Sequence, residues 1–138
     1  MRCLSAFVMV ALLLFSGPAM AAPPYLLGFW YGTGQPNDKT NMWLEQFLPD
    51  GEFRGQYRSC VGGKPQDVTQ TGRWSLAGDR ETIDIVTVNG QYQPRSDPYQ
   101  LIAVEGQIWK YRYLPLGYVF TARRVDEKFE LPSCDAIS

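Results

Sequence analysis

The chain has 138 residues, with 13 lysines and arginines, 14 acidic residues, no histidine and a formal net charge of −1. This length predicts one domain, and a nucleic-acid partner is not expected because no basic cluster is longer than Arg123-Arg124. The lack of histidine removes the usual base of a catalytic triad and the commonest metal ligand. We therefore expect no enzyme of a recognisable type, no metal site and no cofactor.

The first 21 residues have the pattern of a signal peptide. Arg2 precedes a nearly unbroken apolar run over residues 4–15, and Ala19-Met20-Ala21 fits the small-x-small cleavage rule. The run is shorter than the ~20 residues that span a bilayer, although an N-terminal membrane anchor is the alternative. We expect removal of residues 1–21 and one exported domain over residues 22–138, periplasmic or secreted, with no membrane span in the mature chain.

Two cysteines remain once Cys3 leaves with the signal peptide, namely Cys60 and Cys134. Thiols of an exported chain meet an oxidising compartment, where an even number normally pairs. The bridge would close a loop of roughly seventy residues, which stabilises by about 4 kcal/mol in the chain-entropy model. A redox-active pair is the alternative, but no Cys-x-x-Cys motif supports it.

Short runs of alternating apolar and polar residues, separated by turn residues, dominate the mature chain. The clearest alternation lies in residues 52–60, where Phe53 and Tyr57 share one face while Arg54 and Arg58 share the other. The predicted strands are residues 26–34, 42–48, 52–60, 67–76, 81–88, 91–93, 99–104, 107–113 and 118–125.

The segments between these runs predict turns and loops. Asn89-Gly90 predicts a type I′ hairpin. Residues 35–41 and 61–66 are polar and turn-rich, so they are expected to be exposed loops. The prolines of residues 94–98 predict an interruption between strands. Residues 125–131 are the one stretch where a helical turn is expected, ending at Pro132.

Eight to nine short strands joined by tight turns indicate an all-β fold. Sequential hairpins favour a small antiparallel up-and-down barrel, since closure removes exposed sheet edges. The Cys60–Cys134 bridge would tie the tail, residues 126–138, to the end of the third strand.

Aromatic residues are the most distinctive chemical feature, with 4 tryptophans and 8 tyrosines. Large rings fill the core of a small barrel efficiently, but they also form the walls of pockets for small apolar molecules. The candidates for a ligand-binding lumen are Tyr57, Trp74, Tyr111 and Tyr113, which are large and lie within predicted strands.

Gly28-Phe29-Trp30, at the head of the first predicted strand, resembles the Gly-x-Trp signature of the lipocalins and other calycins. In that family the tryptophan closes the barrel base and an arginine near the last strand packs across it. The resemblance therefore implies a structural plug of Gly28, Trp30 and either Arg123 or Arg124. The segments 50–53 and 71–76 also resemble exported bacterial lipocalin-like domains of unassigned function.

Two functions compete on this reading. The first is an exported lipocalin-like binding protein for a small hydrophobic or amphipathic ligand. The alternative is a protein-binding module, such as an inhibitor of an extracytoplasmic hydrolase, acting through the loops 35–41 or 61–66.

Overall fold

The computed structural model describes residues 25–35 and 38–137, so the predicted signal peptide lies outside the described residues. They form a closed antiparallel barrel in which each strand pairs with its sequence neighbours and the last pairs with the first. The eight strands are β1 Gly28–Gln35, β2 Asp38–Phe47, β3 Glu52–Val61, β4 Lys64–Ala77, β5 Arg80–Val88, β6 Gln91–Glu105, β7 Ile108–Tyr113 and β8 Tyr118–Val125. A short 3₁₀ helix, Cys134–Ile137, ends the described chain.

The predicted all-β class, the closed up-and-down barrel and the disulfide are confirmed. Closure is made by β1 and β8, with Phe29 opposite Val125 and Gly32 opposite Ala122. The period-2 pattern places one face of each strand in the lumen and the other in solvent. The disulfide joins Cys60 at the end of β3 to the tail, with a sequence separation of 74 between the two cysteines and their Cα atoms 5.6 Å apart.

The hairpin turns follow the glycine pattern of the sequence. Asn89 and Gly90 have φ values of 50° and 77°, which confirms the predicted type I′ turn. Gly62 and Gly63 also have positive φ values, so two residues suffice to connect β3 to β4. The predicted loop over residues 61–66 was therefore too long, because Lys64 already pairs with Val61 in the ladder.

The predicted loop over residues 35–41 was also wrong for most of its length. Asp38 begins β2 and pairs with Gln35 of β1. The Asp38 carboxylate then accepts hydrogen bonds from the Thr40 backbone N–H at 2.9 Å and from the Asn41 side chain at 2.8 Å. These local bonds let a polar segment lacking buried apolar residues extend the strand.

The predicted interruption at residues 94–98 is absent, because β6 runs through both prolines. Pro94 falls where the pairing of β5 with β6 shifts register, so no ladder donor is missing there. The Pro98 carbonyl points towards β7 and accepts from the Leu114 backbone N–H at 3.1 Å. The N–H and C=O of one strand residue point to the same side, so the N–H that Pro98 lacks would also face β7. Because β7 ends at Tyr113, this position lies just beyond the ladder.

No helix forms within residues 125–131, where a helical turn was expected, but the segment contains one hydrogen-bonded turn, in which the Phe129 N–H donates to the Asp126 carbonyl at 3.2 Å. The 3₁₀ helix of the described residues lies at Cys134–Ile137. The tail is held against β3 by the Arg58 guanidinium, which donates to the carbonyls of Leu131 and Pro132 at 3.2 and 3.1 Å. These contacts, together with the disulfide, hold the tail against β3.

Candidate functional site

One end of the barrel is closed by Trp30. Its indole is fully buried, and its Nε1 donates to the Leu26 carbonyl at 2.8 Å. The Arg124 guanidinium lies 4.3 Å from the centre of the indole ring, in cation–π geometry. The same guanidinium donates to the carbonyls of Leu27 and Tyr25, the latter at 2.7 Å. It therefore fastens the segment before β1 across the barrel base.

Of the two candidate arginines, Arg124 and not Arg123 lies over Trp30. Arg123 faces outward, where its guanidinium lies 5.0 Å from the Tyr31 ring centre and 5.1 Å from that of Phe129. Gly28 has a φ of 106°, and a Cβ atom there would lie 3.1 Å from the Arg124 guanidinium. Glycine at this position thus allows the backbone turn and leaves room for the arginine.

The half of the lumen next to this plug is filled with rings. Phe47 lies at the centre of the cluster, with ring centres 5.5 Å from Phe53, 5.2 Å from Trp74 and 5.4 Å from Trp109. Trp30 packs edge-on against Trp109 at 5.7 Å. This half of the barrel is therefore packed with its own side chains.

Trp74 belongs to this packed half and does not line the open cavity, unlike the other predicted ligand-binding candidates. Its Nε1 donates to the Leu48 carbonyl in the β2–β3 turn at 3.1 Å. The sequence suggested a mid-strand position for Trp74. In the structure β4 ends three residues later, at Ala77, and this end of β4 lies at the closed end of the barrel.

The other half of the lumen contains a cavity of about 470 Å³ that opens at the end opposite Trp30. Three of the predicted candidates, Tyr57, Tyr111 and Tyr113, lie in its wall. The lining residues are Trp43, Glu45, Tyr57, Arg95, Asp97, Tyr99, Tyr111, Tyr113 and Phe120.

The aromatic wall is held by ring-to-ring contacts between strands. Phe120 on β8 packs edge-on against Trp43 on β2 at 5.4 Å and contacts Tyr111 on β7 at 5.6 Å. Tyr99 on β6 contacts Tyr111 at 5.6 Å and Tyr113 at 5.3 Å. Such contacts are worth about 0.5–1.5 kcal/mol each beyond area burial, so the wall is fixed without a ligand.

Glu45 is the polar group that the sequence reasoning missed and the cavity depends on most. It is only 4% exposed, and its Oε1 accepts a hydrogen bond from the Tyr57 hydroxyl at 2.9 Å. Its Oε2 is buried and has no hydrogen-bond partner among the described residues. Burial raises the pKa of this carboxyl to about 7, with a contribution from Asp97, while the Tyr57 hydrogen bond acts in the opposite direction.

A second carboxyl, Glu81 on β5, is fully buried in the same lumen. Neither of its oxygens has a partner within residues 25–35 and 38–137. Burial, and secondarily the charge of Glu45, raises its pKa well above the ordinary value. Burial therefore favours the protonated form of the Glu81 carboxyl, which can donate a hydrogen bond.

Arg95 and Asp97 form the rim of the cavity, with the Arg95 Nε 3.0 Å from the Asp97 Oδ2. This pair was not among the predicted site residues because residues 94–98 were expected to interrupt the strands. Glu45 could have been found, since it lies two positions from both Trp43 and Phe47 and so shares their inward phase. That phase does not reveal that its Oε2 would lack a partner.

The fold and cavity define the chain as a small closed β-barrel with one end plugged and the other forming an aromatic pocket with a buried carboxyl. No protein-family model matches the chain, and no curated protein is significantly similar to it. Across the described part of the chain, no group of three or more histidine, cysteine or acidic side chains is arranged to hold a metal ion. No helix in that part is long and apolar enough to cross a membrane.

Proposed function

We propose that the chain is an exported lipocalin-like binding protein that holds a small hydrophobic or amphipathic ligand in the open half of its barrel. The observation that carries this proposal is the cavity of about 470 Å³ walled by rings. Pockets for small molecules are typically concave, mostly apolar, a few hundred Å³ in volume and furnished with a few polar groups. This cavity meets each of these criteria.

The division of the lumen supports a binding role. Trp30 and Arg124 close one end, and rings fill the half next to them. The rings of the other half pack against one another and leave space between them. A preformed wall requires little ordering when a ligand binds, which favours affinity.

Export is part of the proposal. The Cys60–Cys134 disulfide is compatible with an oxidising compartment, and residues 1–21 have a signal-peptide pattern. Mass determination of the chain purified from the periplasm or the medium would test this. A mature protein that retains residues 1–21 would contradict it.

The binding proposal is tested with an uncharged fluorescent probe, N-phenyl-1-naphthylamine, whose emission rises in apolar surroundings. We expect saturable binding, together with a change in the emission of Trp43, which lines the cavity. Phe120→Ala should weaken binding severalfold, because it removes a ring that contacts both Trp43 and Tyr111. Tyr92→Ala is the control, since Tyr92 is 78% exposed outside the cavity. Absence of saturable binding to the folded protein would refute the proposal.

A protein-binding role is the second candidate, and one observation favours it. Four large apolar side chains are exposed at or beside the turns of the open end, where they are accessible to a protein partner. They are Val61, Tyr92, Leu116 and Tyr118. Inhibition of purified extracytoplasmic hydrolases by the wild-type chain, lost in Leu116→Asp, would support this role, whereas no inhibition by the wild type would count against it.

A further inference from the structure

The charged groups that face the cavity do not balance. Arg95 is the one cation among the lining residues of the described chain, and it is already paired with Asp97. Glu45 is therefore left without a cationic partner. The titratable and charged groups around Glu45 are Tyr57 on β3, Glu81 on β5, Arg95, Asp97 and Tyr99 on β6, and Tyr111 and Tyr113 on β7.

The buried oxygen of Glu45 requires a hydrogen-bond donor. Oε1 already accepts from the Tyr57 hydroxyl, but Oε2 has no partner among the described residues and is out of contact with solvent. An unsatisfied buried acceptor is costly, and more so when it carries charge. Because Glu45 lines the cavity, a ligand that brings a donor to its carboxyl offsets this cost, and a charged donor forms the stronger bond.

The rings around Glu45 favour the same kind of ligand. Trp43, Tyr111 and Phe120 line the cavity together with Glu45, and aromatic faces attract organic cations through their quadrupoles. Their apolar area also suits a hydrocarbon or aromatic body. An anionic ligand would instead meet the Glu45 carboxyl in a cavity whose arginine is already neutralised by Asp97.

We infer that the cavity selects a small amphipathic amine, whose ammonium group pairs with Glu45 while its apolar body packs between Trp43, Tyr111 and Phe120. This inference rests on the proposed ligand-binding function and names the ligand class for that same site. The Tyr57 hydroxyl holds the carboxyl in place, and the Arg95–Asp97 pair borders the entrance.

Binding of an amine should release a proton from the protein. Glu45 has a pKa of about 7 in the cavity because burial disfavours its charged form, and an adjacent ammonium favours that form. At pH 6 about nine-tenths of the Glu45 carboxyls are protonated before binding, so nearly one proton should leave for each amine bound. Affinity should therefore rise between pH 5 and pH 8.

The test uses three probes that share one ring system: tryptamine, tryptophol and indole-3-propionate, which carry an amine, a hydroxyl and a carboxylate. Calorimetric titration of the full mature chain at pH 8 should show tryptamine binding at least about tenfold more tightly than the other two. Glu45→Gln should abolish this preference. Glu127→Gln, an exposed glutamate in the tail, makes the same chemical change away from the cavity and should leave the preference intact.

A measurement on the wild-type protein keeps the test independent of whether Glu45→Gln folds. Titration of tryptamine at pH 6 in two buffers of different ionisation enthalpy gives the number of protons released. A value near one supports the inference, and a value near zero overturns it.

The outcomes separate the two levels of the proposal. Tryptophol or indole-3-propionate binding as tightly as tryptamine would overturn the amine inference and leave the ligand-binding function standing. Binding of N-phenyl-1-naphthylamine without any binding of tryptamine would have the same meaning. Failure of all these probes to bind the folded chain would overturn both.

Discussion

The stability of the barrel should fall as the pH rises from about 5 to about 7. The Glu45 carboxyl loses its proton near its ordinary value of 4.5 in the unfolded chain, but near 7 in the folded barrel. Between these values the folded state holds a proton that the unfolded state has lost, so raising the pH favours unfolding. The difference corresponds to about 3 kcal/mol of unfolding free energy, or about 1.4 kcal/mol per pH unit.

Urea unfolding of the oxidised mature chain, followed by tryptophan fluorescence at several pH values between 5 and 8, measures this slope. Glu45→Gln should lower the slope by about 1.4 kcal/mol per pH unit, the contribution of one proton. The glutamine carries no charge, and its Oε1 can still accept a hydrogen bond from Tyr57. Glu81, whose pKa burial also raises, should account for the slope that remains in Glu45→Gln, and Glu45→Gln/Glu81→Gln should flatten it. Glu127→Gln should keep the wild-type slope.

The exposed carboxylates act in another pH range. Hydrogen bonds from Thr40 and Arg58 lower the pKa values of Asp38 and Asp67 below 3.8. Their stabilisation is thus present above pH 4 and is lost only as the pH falls further.

An unfolding free energy that stays constant or increases from pH 5 to pH 8 would refute the reasoning, since it would mean that Glu45 is ionised in the folded barrel without penalty.

Three further substitutions or treatments test the fold. Arg124→Ala should lower the free energy of unfolding in urea by about 2 kcal/mol, because it removes the cation–π contact with Trp30 and two hydrogen bonds. Arg123→Ala should lower it by no more than about 1 kcal/mol. Equal effects of the two substitutions would contradict the assignment of Arg124 to the plug. Gly72→Ala should yield little folded protein in circular dichroism, because its Cβ would lie 2.0 Å from the Asp84 carbonyl oxygen, whereas a normal spectrum would contradict this geometry. Reduction of the disulfide should lower stability by about 4 kcal/mol, given its separation of 74 positions, and alkylation of both cysteines without prior reduction would disprove the bridge.

Much of the barrel could be predicted from local patterns. The alternation in residues 52–60 placed β3 within one residue of its observed end, and Asn89-Gly90 predicted the turn after β5. These signals are local, since strand faces follow from a period of two and turn types from individual glycines. The pairing of Cys60 with Cys134 followed because these two cysteines remain once the predicted signal peptide is removed, and because thiols of an exported chain normally pair.

The errors arose where a strand continued through residues that usually end one. Pro94 and Pro98 were expected to interrupt β6, but each lies where the ladder needs no donor from it. Whether a proline removes a required hydrogen bond depends on the register of its neighbours, which is a long-range property. Because of this error the rim residues Arg95 and Asp97 could not be assigned to the cavity.

The cavity itself depends on which inward side chains meet at the same height of the barrel. Tyr111 and Trp74 are both inward-facing aromatics in the sequence pattern, but Trp74 lies with Phe47 in the packed half and Tyr111 lies in the open wall. Strand phase gives the direction of a side chain. The stagger between strands, which sets its height, emerges only when the barrel closes.

Glu45 links the stability of the barrel to its proposed function. A carboxyl that reduces stability by about 3 kcal/mol at neutral pH contributes nothing that a glutamine would not also provide to Tyr57. Groups that destabilise a fold in this way tend to occur where function requires them. An amine that pairs with Glu45 would reverse part of this destabilisation, so it should raise the melting temperature of the wild-type chain and not that of Glu45→Gln. The pH dependence of folding and the choice of ligand would then have one physical cause.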